Sequence, residues 1–146
     1  MGRVFAVALA ILFMSVALAS AADVKKKFTL ESAKANSDVQ DVLNGDITIY
    51  WGTQAHPQVE KELGVYKTSK RTNGFMKAEE EACSHALASA LIVFQERARK
   101  EGGNAVIGLQ SNIKNQAESS ETEYSCLIGS MMVNVALKGK VVKLKK

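Results

Sequence analysis

Residues 78–111 read AEEEACSHALASALIVFQERARKEGGNAVIGLQS and combine a helix, a stop and a strand. Apolar residues recur at three- and four-residue spacing as far as Ala98, which is the pattern of an amphipathic helix. Acidic residues at 79–81 and basic residues within 97–100 complement the dipole of that helix. The glycine pair at 102–103 predicts its end, and the short apolar run that follows predicts a central strand.

The downstream sequence predicts partners for that strand. Residues 112–122 are polar and predict a hairpin loop. Residues 124–137 are β-branched and methionine-rich, which predicts a long strand antiparallel to residues 104–110. Glycine between lysines at 138–140 predicts a turn before a last edge strand at 141–144. We therefore expect an α+β fold, a small and mostly antiparallel sheet covered by one long amphipathic helix.

Residues 23–63 predict an N-terminal extension with a short helix and a strand. Apolar positions within 39–43, followed by Asn-Gly, indicate the helix. The run ITIYW at 47–51 is β-branched and aromatic, which favours a strand. Residues 52–74 are predicted to be rich in loops, with a second strand at 64–68.

The first 22 residues predict a secretory signal peptide. Arg3 supplies a basic start, residues 4–18 are apolar, and Ala19-Ser20-Ala21 places small residues before a cleavage site. The alternative is a membrane anchor, although the run is shorter than the ~20 residues of a spanning helix. Loss of Arg3 leaves 18 of the 19 basic residues against 15 acids, a net charge of +3. This mild charge gives no argument for a nucleic-acid partner.

Cys83 and Cys126 are the only cysteines, so an oxidising destination allows one intramolecular disulfide. The alternative is two free thiols. Cys126 has the opposite parity to the alternating face that begins at Leu127, yet Cys83 belongs to the helix face that should meet the sheet. A bulge near Gly129, or a position of Cys126 at the strand end, would reconcile the two.

The sequence predicts no catalytic, metal or cofactor site. Cys83 and His85 lie two apart on a helix and so do not face each other as a dyad. His56, His85 and two cysteines lack the Cys-x-x-Cys or paired-His spacing of a zinc site. The glycine pair at 102–103 is not followed by the Gly-Lys-Ser/Thr of a phosphate-binding loop. We therefore expect a protein that is not an enzyme.

Two regions are candidates for binding. Trp51, His56 and Tyr66 form a possible ligand or partner surface, with the alternative that Trp51 faces the core. Five lysines near the C-terminus predict either weak contact with an anionic membrane surface or a merely solubilising tail; they are Lys138, Lys140, Lys143, Lys145 and Lys146.

Two segments, GGNAVIGLQS and YSCLIGSMMVNVAL, carry a family resemblance. With the cysteine near the helix start, they resemble the superfamily that joins the YbjQ proteins to RcsF, an envelope stress sensor of Gram-negative bacteria. The likeness covers residues 64–137. It implies a helix-covered sheet with a disulfide in its core, in a domain that we place at 64–146 with a basic C-terminal tail. Structural roles at a turn or bulge are expected for Gly103, Asn104 and Gly129.

The chain also departs from the pattern of the sensors. Asn112 stands where a further cysteine is expected, and a cysteine for lipid attachment is missing from the sequence. Some proteins of this kind carry an excinuclease-subunit label, against which the signal peptide and the missing phosphate loop argue.

From these features we expect a secreted domain in the periplasm of a Gram-negative bacterium. Its expected role is non-catalytic interaction with envelope proteins, stress-sensor-like or structural. The alternative is a periplasmic protein that binds a small ligand or a metal. A deep pocket lined by Trp51, His56 and Tyr66 would favour the ligand, whereas an exposed apolar patch would favour a protein partner.

Overall fold

The computed structural model describes residues 22–146. The predicted signal peptide, residues 1–22, lies outside this part of the chain except for Ala22. The described residues form seven strands and three helices, in the order β1 Val24–Thr29, α1 Leu30–Ala33, α2 Ser37–Leu43, β2 Thr48–Trp51, β3 Val59–Asn73, α3 Glu79–Glu101, β4 Ala105–Ile113, β5 Gln116–Glu118, β6 Glu123–Ile128 and β7 Met132–Leu144.

All seven of these strands join one curled sheet. The main order is β1-β6-β7-β4-β2, β3 pairs with β7, and β5 pairs with β4. The pairing of β2 with β4 is parallel, and the other five pairings are antiparallel. The predicted α+β fold and mostly antiparallel sheet are confirmed. The expectation of a small sheet is wrong, because segments predicted as loop or extension form strands.

The predicted long helix is α3, and it packs against β3, β4 and β7. Alanines on its inner face, such as Ala86, Ala90 and Ala98, are fully buried. Small side chains let the helix axis lie close to the sheet. The helix ends at Gly102, which has a left-handed φ of 79°, a conformation that glycine adopts without steric cost.

The outer face of α3 is less exposed than its polar residues suggest. Ser84 and Gln95 are both buried, because Ser84 lies beside the Tyr124 hydroxyl of β6 and Gln95 packs against α2. The amide of Gln95 donates to the carbonyl of Val42 in the last turn of α2. The side chain is a further donor to a carbonyl that also accepts from the Gly45 N–H at 3.1 Å, and it ties the end of α2 to α3.

Residues 124–137 form a hairpin rather than the single predicted strand. The Gly129 N–H donates to the Met132 carbonyl at 2.9 Å, which closes a two-residue loop between β6 and β7. Chain reversal, not a bulge, explains the orientation of Cys126. By the hairpin register Cys126 lies opposite Val135, and both are fully buried in the core beneath α3.

The predicted turn at 138–140 is also wrong, since β7 runs unbroken to Leu144. β7 pairs with β3 on one side and with β4 on the other, so residues 138–143 are not a tail. Gly139 is a packing glycine, because a Cβ there would lie 2.8 Å from a methyl of Leu109. Lys145 and Lys146 follow the strand.

Residues 23–63, predicted as an extension, contribute to the same sheet and core. β1 pairs with β6 along its whole length, and β2 lies beside β4. Side chains of the two short helices, such as Ala33 and Val39, belong to the main hydrophobic cluster. β3 runs across the predicted boundary between residues 63 and 64.

Candidate functional site

The three residues predicted as a binding surface do not converge on one pocket. Trp51 is 5% exposed and belongs to the core, as the alternative proposed. His56 is exposed at the surface, with Nδ1 2.7 Å from the Pro57 carbonyl oxygen and its ring edge-on to Tyr50 at 5.7 Å. Tyr66 lies on the helix side of β3, where the Arg97 guanidinium stacks 4.7 Å from its ring centre.

Trp51 also lines a cleft, here called the apolar cleft. It has a volume of about 490 Å³ and lies between the two short helices, β2 and α3. Its apolar walls are Leu30, Val39, Leu43, Ile49, Trp51, Leu87 and Leu91. Its polar lining is Thr29, Glu31, Lys34, Thr48, Gln54, Glu121 and Thr122. This combination of apolar walls and a few polar groups, in the range of about 300–1,000 Å³, is typical of small-molecule sites.

Hydrogen bonds fix the wall that carries Trp51. Its backbone N–H donates to Oε1 of Gln54 at 2.8 Å, and Nε2 of Gln54 donates to the Glu121 carbonyl at 3.4 Å. The Glu121 carboxylate in turn accepts from the Thr53 hydroxyl at 2.7 Å. The loop after β2 is therefore tied to the loop before β6, so this wall is held in place without a ligand.

The side chains that line the cleft carry a small net negative charge. Glu31 and Lys34 form an ion pair at 3.2 Å, and Glu121 adds a second carboxylate. One positive and two negative side chains give a net charge of −1. A carboxylate or phosphate head group would be repelled there, whereas a neutral or cationic one would not.

The predicted disulfide is confirmed. Cys83 in α3 is bonded to Cys126 in β6, with their Cα atoms 6.0 Å apart, and both residues are fully buried. The bond therefore joins the first turns of the long helix to the sheet. Neither sulfur is a free thiolate, so neither serves as a nucleophile or metal ligand.

Gly103 and Asn104 occupy the tight connection between α3 and β4. A Cβ on Gly103 would lie 2.8 Å from the Val142 carbonyl oxygen. The Asn104 side chain accepts from the Leu144 N–H at 2.7 Å and donates to the Leu144 carbonyl at 3.1 Å. Asn104 thus extends the ladder between β4 and β7 by a side chain. Gly129 closes the β6–β7 hairpin.

The titratable groups in the described part of the chain do not form a catalytic constellation with the cysteines. His85 lies 3.0 Å from Asp38, and both side chains are more than half exposed. No three metal-ligating side chains of these residues come together. Tyr124 is buried, and its hydroxyl has no partner of good geometry within residues 22–146. Burial raises the pKa of Tyr124 to about 12, an effect that the nearby Ser84 hydroxyl moderates.

Sequence reasoning missed the apolar cleft, because part of its lining belongs to α1 and its caps, namely Thr29, Leu30, Glu31 and Lys34. The helix α1 was not predicted, although the sequence Thr-Leu-Glu-Ser contains a signal. Thr29 is an N-cap whose hydroxyl accepts from the Ser32 N–H at 3.1 Å. A threonine before a short run of helix formers is a recognised helix start.

Comparison of the sequence with protein-family models and with curated proteins finds no match to either. The resemblance to the YbjQ and RcsF superfamily therefore remains a prediction from short motifs. None of the helices within residues 22–146 is long and apolar enough to cross a membrane.

Proposed function

We propose that this protein is a non-catalytic binding domain that holds a small amphiphile in the apolar cleft. The observation that carries the proposal is the cleft itself, about 490 Å³ walled by Trp51 and six aliphatic side chains. Burial of an apolar chain there would contribute about 25 cal/mol per Å² removed from water. The net charge of the lining favours a neutral or cationic head group.

The single tryptophan makes the proposal directly measurable. N-phenyl-1-naphthylamine, a neutral apolar dye, is expected to gain fluorescence on binding and to quench Trp51 by energy transfer. Dodecylamine is expected to displace the dye at lower concentration than dodecanoate does, because of the acidic lining. Equal displacement by the two would contradict the role given to the charges.

A matched pair of variants separates the cleft from other apolar surface. Ile49→Phe adds volume to a cleft wall, whereas Ile92→Phe makes the same change on the outer surface of α3, where Ile92 is 42% exposed. Dye affinity should fall at least tenfold in the first variant and stay within twofold in the second. Binding that survives in both variants would refute the proposal.

A second candidate function is docking of a protein partner, as the sequence suggested. Its support is an exposed apolar cluster, here called the methionine tip. Phe75, Met76, Met131 and Met132 are 55%, 91%, 60% and 45% exposed. The Gly74 N–H donates to the Met131 carbonyl at 2.8 Å, which brings the β3–α3 loop beside the β6–β7 hairpin. Methionine-rich surfaces adapt to partners of varied shape.

The tip is tested by photocrosslinking in intact cells. A photoreactive residue at position 76 should form a discrete adduct of one partner, whereas the same residue at position 92 should not. Replacement of Met131 and Met132 by glutamine should remove that adduct. Equal adduct patterns from both positions would contradict the docking role.

We further propose that the protein is secreted to the periplasm of a Gram-negative bacterium. The support is the N-terminal sequence, with its basic start, apolar run and small residues before position 22. The buried disulfide is consistent with an oxidising compartment. Intact-mass measurement of the protein from cell fractions should find a chain that begins at residue 22 or 23. A full-length chain in the cytoplasmic fraction would contradict this proposal.

A further inference from the structure

A second concave surface lies on the face of the sheet turned away from α3. Exposed side chains of β3 alternate with half-buried ones that contact the helix, so Lys67, Ser69 and Arg71 point to this outer face. The register places Ser69 opposite Ala136 of β7, which is only 7% exposed because longer side chains surround it. The small alanine forms the floor of a groove of about 540 Å³, here called the basic groove.

The groove carries positive charge that the protein leaves uncompensated. Lys67, Arg71 and Lys114 line it against one acid, Asp23, which gives a net charge of +2. Ion pairs formed by the described residues include none of these three cations. Next to the groove, Lys67 lies directly opposite Lys138, an arrangement of like charges that destabilises a sheet. An anionic ligand would relieve this repulsion.

Amide side chains accompany the charges. Asn112 lines the groove, and although the residue is only 6% exposed its side-chain nitrogen and oxygen are not among the buried unsatisfied atoms of residues 22–146, so they open into the groove. An amide that opens into a groove can donate to and accept from a ligand there. The Asn134 Nδ2 donates to the Ser69 hydroxyl at 2.7 Å and to the Lys70 carbonyl at 3.0 Å, which leaves its Oδ1 to accept, and Oδ1 of Asn115 accepts from Lys67 Nζ at 3.3 Å. Amides and hydroxyls of this kind donate to and accept from hydroxyl groups.

We propose that the basic groove binds an acidic sugar, which is a sugar that carries a carboxylate or phosphate group. The Arg71 guanidinium suits a bidentate contact with a planar carboxylate or a phosphate, and Lys67 and Lys114 add point charges. Asn112 and Asn134 are placed to hydrogen-bond the ring hydroxyls. The groove is separate from the apolar cleft, which lies on the helix side of the sheet, so this inference does not rest on the amphiphile proposal.

The test is a titration of the ¹⁵N-labelled protein, expressed from its full sequence, followed by amide chemical shifts. The probes are glucuronate, glucose 6-phosphate, glucose and inorganic phosphate. At least one acidic sugar should give saturable shifts at 67–71, 112–115 and 134, at least tenfold tighter than glucose or phosphate. The carboxylate and phosphate arms identify which anionic group is preferred. If inorganic phosphate binds as tightly as the acidic sugars, the groove is an anion site only and the proposal fails.

Matched variants locate the site. Arg71→Gln should weaken acidic-sugar binding at least tenfold, whereas Lys143→Gln removes the same charge from an exposed position outside the groove and should change it less than twofold. Asn112→Ala should weaken the acidic sugars while leaving the weak affinity for inorganic phosphate unchanged. The urea midpoint reports whether each variant is folded. Equal losses in the arginine and lysine variants would overturn the proposal.

Discussion

Reduction of the Cys83–Cys126 bond should cost this protein a large share of its stability. The bond joins residues 43 apart, so it closes a loop of 44 residues in the unfolded chain. The chain-entropy relation gives about 13 cal/mol/K for such a loop, or about 4 kcal/mol at 25 °C. Domains of this size are stable by ~5–15 kcal/mol, so the loss is of the same order as the whole margin.

The assay is urea unfolding of the oxidised and the reduced protein at the same pH, followed by Trp51 fluorescence. Both cysteines are fully buried, and buried thiols pack as small apolar groups, so the reduced core should remain filled. We expect the unfolding free energy to fall by about 4 kcal/mol on reduction. The m-value should rise, because the unfolded chain without the crosslink exposes more surface.

The variant Cys83→Ala/Cys126→Ala is the control for reductant effects. It should be less stable than the reduced protein by about 1–2 kcal/mol, because each missing sulfur leaves a space of roughly methyl size. Reductant should not change its unfolding curve. A difference below about 1 kcal/mol between oxidised and reduced wild type would refute the loop-entropy argument.

Three further changes test the packing around the same core, each by urea unfolding. Gly103→Ala should lower the unfolding free energy by about 2–3 kcal/mol, because its Cβ would meet the Val142 carbonyl. Gly102→Ala has open space around it and should lose only about 1 kcal/mol, because its φ is left-handed. Asn104→Ala should lose about 1–3 kcal/mol, since it removes two hydrogen bonds to the end of β7. Tyr124 has a folded pKa raised from 10.0 to about 12, so the unfolded chain ionises first and stability should fall by roughly 2–3 kcal/mol as pH rises from about 10 to about 12. The variant Tyr124→Phe should lack this fall; a difference between wild type and variant that stays constant with pH would show that Tyr124 is not responsible.

The helix and its stop were predictable because several independent signals agree there. The apolar spacing sets the helix, and the glycine pair ends it. The strand at Ala105–Ile113 follows from its length and its position after the stop. The single disulfide follows from the cysteine count, and the structure confirms it.

The strand boundaries were harder to predict, because the residues at the real turn are not typical turn residues and typical turn residues occur inside a strand. The β6–β7 loop is Ser130-Met131, neither of which is the Asn or Gly that marks a two-residue hairpin. The sequence around Gly139 has the opposite problem, since glycine between two lysines has the composition of a turn. Its real cause is the close approach of Leu109, which belongs to a strand 30 residues away and is invisible to local pattern.

The candidate site was predicted only in part, for a related reason. Trp51 was expected either to bind a ligand or to face the core; the structure places it in the core, and it also lines the wall of the apolar cleft. His56 and Tyr66 are near in sequence but are separated by the path of β3. Proximity along a loop-rich segment does not determine which face each side chain takes. The uncompensated charge of the basic groove depends on strand register, which single-sequence reasoning did not supply.

The apolar cleft follows from a mismatch between helices. α3 has 23 residues and is about 35 Å long at 1.5 Å per residue, whereas α1 and α2 have four and seven residues. The short helices cover only part of its length, so Leu87 and Leu91 line a cleft in place of a closed core. Cys83, Leu87 and Leu91 are spaced by four residues and share one helix stripe. The disulfide therefore anchors to the sheet the same stripe of α3 that forms the cleft wall, and this links the stability of the core to the shape of the proposed binding site.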